Sequence, residues 1–212
     1  MSGDHERPRF RIDANRQSAN RRVRYIESNR PTEGLCTLCQ LDAHNPSPNE
    51  GSPISLHIRP ATAADAALIL RFITELAIYD DAEHEVKTDA AGIAASLFGP
   101  DSNAYALICE HAGRPIGYAV YFFNYSTWLG KRGLYLEDLY ISPEYRGMGA
   151  GKALLRHLAQ LAVAKDCGRF EWIVLDWNQP AIAFYQSFGA QAQDQSTIYR
   201  LTGQALLDFA QG

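Results

Sequence analysis

The sequence predicts an α/β domain in which a mixed sheet carries helices on both faces. Three observations predict it. From residue 55 onward, strand-like runs and runs with a helical period follow one another in the order β-α-α-β-β-β-α-β-α-β, with no internal repeat. Proline or glycine stands where most of these runs stop. Hydrophobic residues make up 46% and charged residues 21% of the 212 positions, an ordinary balance for a globular protein.

Each element has its own signal. "SLHIRPA" reads as a short strand ended by Pro60. Thr62 then offers a side-chain oxygen as a helix N-cap. Through "ATAADAALILRFITELAIYD", Leu68, Phe72, Leu76 and Tyr79 recur at helical spacing. "TDAAGIAASLFG" is a second, shorter helix. "NAYALICEHAGRPIGYAVYFFNYS" reads as a β-hairpin turning at "HAGRP". "GLYLEDLYISPEY" is a further strand, closed by Ser142-Pro143. "GAGKALLRHLAQLAVAKDCG" is a long helix with Gly168 at its end. "RFEWIVLDWN" is a strand. "QPAIAFYQSFGA" is a helix with Pro180 in its first turn and Gly189 at its end. "STIYRLTGQALLDFA" reads as a last strand and a short tail helix.

Residues 1–54 read differently from the domain at 55–212. They are rich in Arg, Asn, Ser and Pro and lack a sustained apolar period. Such a segment cannot bury enough surface to offset its ordering entropy, so a mostly disordered tail is expected, with short helical turns around residues 16–28. "RRVRY" (residues 21–25) is basic, but Asp13, Glu27 and Glu33 dilute it, which favours a solvated tail over a nucleic-acid arm. Cys36 and Cys39 in "CTLC" have the spacing of a zinc pair, yet a structural site needs four ligands and no second pair follows.

Other function classes are excluded more simply. The net charge of -4 gives no pull toward nucleic acid or an anionic membrane. No run of about twenty apolar residues exists, and the N-terminus lacks the apolar core of a secretory signal. A cytosolic protein with its four cysteines reduced is expected. The six histidines are scattered without ligand-like spacing in the folded part, and no metal is called for.

The densest signal is "EYRGMGAGKALL" (residues 144–155), between a strand and the long helix. Helix N-termini expose N–H groups and carry partial positive charge. Glycines let those groups approach phosphate oxygens closely. Arg146 and Lys152 add charge, so a phosphate or pyrophosphate is the expected ligand. A P-loop fails, because its first glycine falls on Arg146 and Ala153 replaces the magnesium-binding hydroxyl. A dinucleotide fingerprint fails, because its third glycine falls on Lys152. What remains is Arg146 followed by Gly147, Gly149 and Gly151, and a mere connection would rarely need three alternating glycines.

Arg146-Gly-Met-Gly-Ala-Gly151 after "ISPEY" resembles the acetyl-coenzyme A loop of the GCN5-related N-acetyltransferase (GNAT) superfamily. The resemblance runs from about residue 58 to 209. "NYSTWLGK", "LYLEDLYISPEYRGMGAGKALL" and "LDWNQPAIAFYQSFGA" narrow it to the diamine acetyltransferase branch, which holds spermidine/spermine and thialysine N-epsilon-acetyltransferases. The resemblance implies a mostly antiparallel mixed sheet, with acetyl-coenzyme A in a cleft where neighbouring strands splay. It implies coenzyme contacts from Leu139, Tyr140 and Ile141 through their backbone, from Arg146, Gly147, Met148, Gly149, Ala150, Gly151 and Lys152, and from Asn178 and Pro180. A β-bulge near Leu139–Ile141 is expected, since bulges expose otherwise paired N–H groups.

Acetyl transfer to an alkylamine requires a base, because such an amine is nearly all protonated at neutral pH. In "YLEDLY", strand alternation puts Glu137 and Asp138 on opposite faces. The family pattern assigns Glu137 as the cation anchor and water-mediated base. Tyr185 matches the family's general acid for the departing thiolate. On base rates alone it reads as an aromatic core residue flanked by Phe184 and Phe188. Tyr79-Asp80 matches a substrate-binding tyrosine-acid pair, with Asp one methylene shorter than the usual Glu. Trp128 is the matching loop aromatic, suited to a cation–π contact.

Ser126 stands where the spermidine/spermine enzymes carry an acid, which points to thialysine-like or lysine-like acceptors rather than polyamines. A small diamine stands with these acceptors; a polyamine, a peptide or protein acceptor and a noncatalytic coenzyme-binding module are the alternatives. The resemblance also implies a homodimer.

Overall fold

This computed structural model describes residues 25–26 and 55–212. The Cys36/Cys39 pair, most of the basic run and most of the tail lie outside the described residues; Tyr25–Ile26, within the stretch where helical turns are expected, form a two-residue strand instead.

Six strands form one sheet: β1 (Tyr25–Ile26), β2 (Leu56–Pro60), β3 (Ala104–His111), β4 (Arg114–Ser126), β5 (Lys131–Ile141) and β6 (Arg169–Glu171). They are ordered β1-β5-β4-β3-β2, with β6 also on β5. The four strands β2 to β5 are mutually antiparallel. β1 and β6 run parallel to β5. The sheet is therefore mixed and mostly antiparallel, as expected.

Helices cover both faces. α1 (Ala66–Tyr79) and α2 (Ala90–Phe98) lie on one, and α3 (Ala150–Ala164) and α4 (Gln179–Ser187) on the other. A short terminal helix, α5 (Gly203–Gln211), follows.

The start of α1 is held by local chemistry. Thr62 caps a single-turn helix, Ala63–Asp65, that runs into α1. Its backbone N–H and its hydroxyl both donate to Asp65 Oδ2, at 2.8 and 3.0 Å. Arg59 on β2 then clamps that carboxylate with two bonds of 2.9 Å and reaches Glu110 of β3 with a third of 2.8 Å. These bonds hold the Asp65 carboxyl down at about 2.

Two cores result. Leu134, Leu136, Leu139 and Ile141 of β5 pack with Leu154 and Leu158 of α3 and Phe184 and Tyr185 of α4. On the other face Ile108, Tyr118 and Tyr140 pack with Ile69, Phe72 and Leu76 of α1. Phe72 stacks on Tyr118 with centroids 5.6 Å apart. Each such buried side chain contributes about 1.5–3 kcal/mol, and Phe72→Ala would cost about 3–5 kcal/mol.

Three elements differ from expectation. α3 ends through Asp166, which takes the left-handed conformation at φ 52°, so Gly168 is not its cap. Gly168 serves a close approach instead. Its N–H donates to Arg132 O at 2.8 Å, and a Cβ there would lie 2.9 Å from Leu129 Cδ1. The strand over "RFEWIVLDWN" stops at Glu171, because Trp172 turns into an aromatic group with Phe170 and Tyr185. The last strand does not form within residues 191–202, which are exposed throughout. No residue of that stretch is buried, so it has no packed face to hold a strand in register.

Candidate active site

The site begins with a miscount in β5. Val120 of β4 pairs with Asp138, while the next residue, Tyr121, pairs with Leu136. Glu137 is the extra residue of a β-bulge, two positions before the expected Leu139–Ile141. The bulge resets the alternation. Leu134 and Leu136 face α3 before it, and Leu139 and Ile141 face α3 after it. Asp138 lies where the buried Tyr118 hydroxyl donates to its Oδ2 at 3.1 Å. Burial first, and then the Asp138 charge, hold the Tyr118 phenol well above its ordinary range. Glu137 sits half-buried at the bulge itself.

The outer edge of β5 is divided. β6 occupies it at Gly133–Tyr135 and then leaves the sheet. Beyond that point the edge runs past Leu139, Tyr140 and Ile141, whose side chains are buried. α4 carries Tyr185 into the same core as Leu139. Tyr185 is 4% exposed, and its ring lies 5.0 Å from Trp172 and 5.6 Å from Phe184. Asn178 opens α4 as its N-cap, accepting from Ala181 N–H at 3.2 Å, with Pro180 in the first turn.

The glycine turn has the geometry of an anion site. Gly147 and Gly149 adopt φ of 79° and 83°, a region that costs other residues about 1–2 kcal/mol. Gly149 is the N-cap of α3, whose first bond is Ala153 N–H to Gly149 O at 2.9 Å. The amides of Ala150 to Lys152 therefore form the positive end of a four-turn helix, and no acidic residue stands in its first turn. Met148 anchors the loop by packing on the α3 core, and Ala150 is fully buried.

Arg146 is placed differently from a surface cation. Its Nε donates to Ile141 O at 3.0 Å. Its guanidinium lies 5.5 Å from the Tyr79 ring and 5.7 Å from the Tyr140 ring, and Nη2 is buried with no hydrogen-bond partner among the described residues. Arg146 ties the turn to the end of β5 and to the end of α1. Lys152 is the exposed cation of the turn.

Tyr79 ends α1 and Asp80 is its C-cap. Two neighbours escaped the sequence reading. Glu75 accepts from Ser142 Oγ at 3.3 Å and forms an ion pair with Arg71 at 3.4 Å. Burial, followed by the Glu75 charge and against the pull of Arg146, pushes the Tyr140 phenol up to about 12. Arg71, Glu75 and Tyr79 lie four residues apart, and this stripe was the available signal. A cavity of about 520 Å³ opens beside it, lined by Arg71, Glu75, Arg114, Tyr140 and Ser142 among others.

Trp128 is not brought to this group. It is 98% exposed on the β4–β5 turn. Lys131, at the foot of that turn, is six positions from Glu137, about 20 Å of strand. Ser126 is buried and accepts from Leu129 N–H at 3.3 Å, so it works in the turn of its own chain.

Among the described residues, no three His, Cys, Asp or Glu side chains group to hold a metal. No described helix is long and apolar enough to cross a membrane.

A model of the acetyltransferase (GNAT) family matches residues 70–190. A thialysine N-epsilon-acetyltransferase of Mus musculus is 36% identical over 167 residues, covering 74% of this chain and 98% of the relative. An L-ornithine N5-acetyltransferase of Arabidopsis thaliana is 47% identical over 90 residues, covering 42% of this chain and 40% of the relative. Among solved structures, an integron cassette protein from the mobile metagenome of V. cholerae shares the fold with a TM-score of 0.65 and 24% identity, over 75% of this chain and 99% of that one.

Proposed function

This chain belongs to the acetyltransferase (GNAT) family, and from that premise we propose that it moves an acetyl group from acetyl-coenzyme A to the primary amine of a small molecule, foremost a thialysine-like or lysine-like amino acid. The observation that carries the reading is one half-strand with chemistry at both ends. β5 bulges at Glu137 and, past Ile141, leads directly into the glycine turn and α3. The amino-acid acceptors named for the two relatives support this class.

The residues present fit the coenzyme. The N-terminus of α3, with Gly147, Gly149 and Lys152, suits a pyrophosphate. The backbone of Leu139, Tyr140 and Ile141 suits the amides of an extended pantetheine arm. Arg146 positions the turn by its bond to Ile141 O, and Asn178 and Pro180 fix the start of α4.

Acetyl-coenzyme A supplies a thioester-activated acetyl group. Glu137 takes the acceptor's ammonium proton, directly or through a water, so that the nitrogen can form its bond to the acetyl carbon. A backbone N–H beside the bulge meets the charge that grows on the carbonyl oxygen. As the C–S bond breaks, Tyr185 gives its phenolic proton to the thiolate. Tyr79 and Asp80 hold the acceptor from the end of α1.

The same proposal includes a homodimer. Residues 191–212 are exposed throughout, and α5 presents Leu206, Leu207 and Phe209 to solvent. A second copy covering this arm would also be the route by which the exposed Trp128 meets an acceptor. The cytosol is the proposed compartment.

The test is thiol release from acetyl-coenzyme A with thialysine, lysine, ornithine, putrescine, spermidine and a histone-tail peptide. Saturable turnover is expected on the amino-acid amines. Turnover on the peptide alone would replace the reading with a protein acetyltransferase. Coenzyme binding without turnover on any acceptor would leave a noncatalytic module.

A further inference from the structure

β5 carries two adjacent acids where the acceptor's ammonium is to be met, and the fold treats them differently. Glu137 is the extra residue of the bulge, and Asp138 follows it opposite Val120. Both are half-buried. On the neighbouring strand Tyr118 pairs with Tyr140, so its phenol reaches Asp138 diagonally across the ladder, at 3.1 Å.

The phenol is the donor in that bond. Its ring is fully buried and stacked on Phe72 of α1, with centroids 5.6 Å apart and planes 12° from parallel. Burial and the Asp138 charge hold the phenolic proton in place, and the nearby Glu137 charge acts in the same direction more weakly. With its ring locked between β4 and α1, Tyr118 fixes the Asp138 carboxylate toward the core under α1.

We infer that Tyr118 is a positioning residue for acceptor choice: by holding Asp138 toward the core, it keeps the second acid of β5 from the acceptor and favours amino-acid amines over polyamines. The inference rests on the acetyl-transfer reading above, with Glu137 meeting the reacting amine.

The selection follows from charge. A lysine-like acceptor brings its side-chain ammonium together with an α-ammonium balanced by an α-carboxylate. A polyamine brings further cations and no carboxylate. Two carboxylates on adjacent residues attract the second kind of acceptor and repel the carboxylate of the first. A carboxylate released from its phenol has a hydrogen bond to remake, and a second ammonium supplies a charged donor for it.

The experiment measures kcat/KM for thialysine and for spermidine in the full chain, in Tyr118→Phe, in Asp138→Asn and in the double variant. Tyr118→Phe keeps the stack on Phe72 and deletes only the hydroxyl. Its spermidine-to-thialysine ratio is expected to rise about tenfold or more, mainly through a lower KM for spermidine. The double variant, which lacks the released charge, is expected to return to the wild-type ratio. A purely structural role for the hydroxyl would lower both rates together and leave the ratio unmoved. Asp138→Asn keeps an oxygen that accepts from Tyr118 and removes the charge, so by itself it is expected to leave the ratio unchanged. That arm decides the matter even where Tyr118→Phe does not fold. An unmoved ratio in Tyr118→Phe, a gain that survives in the double variant, or a ratio shifted by Asp138→Asn alone would each overturn the inference. Absence of turnover by the native chain on both acceptors would instead remove the acetyl-transfer reading, and the role of Tyr118 with it.

Discussion

The Tyr118 hydroxyl donates to Asp138 across 3.1 Å from within the core under α1. That bond commits one of two adjacent acids of β5 to the buried face. Glu137, the extra residue of the bulge, is the acid assigned to the acceptor's proton. Glu137→Gln should lower kcat about a hundredfold or more with little change in thermal stability. Asp138→Asn should do the reverse, costing about 1–3 kcal/mol of stability while kcat stays within tenfold. Steady-state kinetics and urea denaturation on both variants read the split, and an exchanged pattern would move the base to Asp138.

Tyr185 lies within 6.0 Å, centroid to centroid, of Trp172, Phe184 and Phe188. Tyr185→Phe keeps that packing and removes only the phenol. Its kcat should fall about ten- to a hundredfold while calorimetric affinity for acetyl-coenzyme A changes less than twofold. Unchanged kcat would leave Tyr185 as a core aromatic.

Gly149 has φ of 83° and open space where a Cβ would go. The cost of Gly149→Ala is therefore conformational, about 1–2 kcal/mol, and it falls on the turn. Weaker coenzyme binding is expected with kcat at saturation preserved. Wild-type affinity would show that this turn does not hold the pyrophosphate.

Local signals were legible in the sequence, and signals that need a distant partner were not. Thr62, Pro180 and the glycine turn act within a few residues of themselves, and each stands where the spacing placed it. The bulge at Glu137 needs the register of β4, which no single strand reveals. The early end of β6 depends on Trp172 meeting Tyr185 from another helix. Gly168 resembles a helix cap by sequence, yet its N–H is committed to Arg132 O on β5, far along the chain. Arg146 was legible as a cation of the turn, but its inward aim between Tyr79 and Tyr140 depends on where α1 ends.

Asp65 gives a pH prediction away from the site. Arg59, ahead of the bonds from Thr62, holds its carboxyl at about 2, against 3.8 ordinarily. A lowered folded pKa means the stabilisation is complete above about 4 and is lost as pH falls through about 2. Asp65→Asn should therefore be less stable by about 1–2 kcal/mol at neutral pH, with the gap narrowing between pH 4 and 2. A gap independent of pH in denaturant titrations would assign the loss to the Thr62 cap rather than to charge.

The central claim is best tested by competition. The full-length protein would be given acetyl-coenzyme A and an equimolar mixture of thialysine, lysine, ornithine, spermidine and a lysine-containing peptide, and the acetylated products identified by mass spectrometry. The account predicts that the amino-acid amines carry most of the label and that Glu137→Gln abolishes it. Label confined to the peptide, or undiminished in Glu137→Gln, would contradict it.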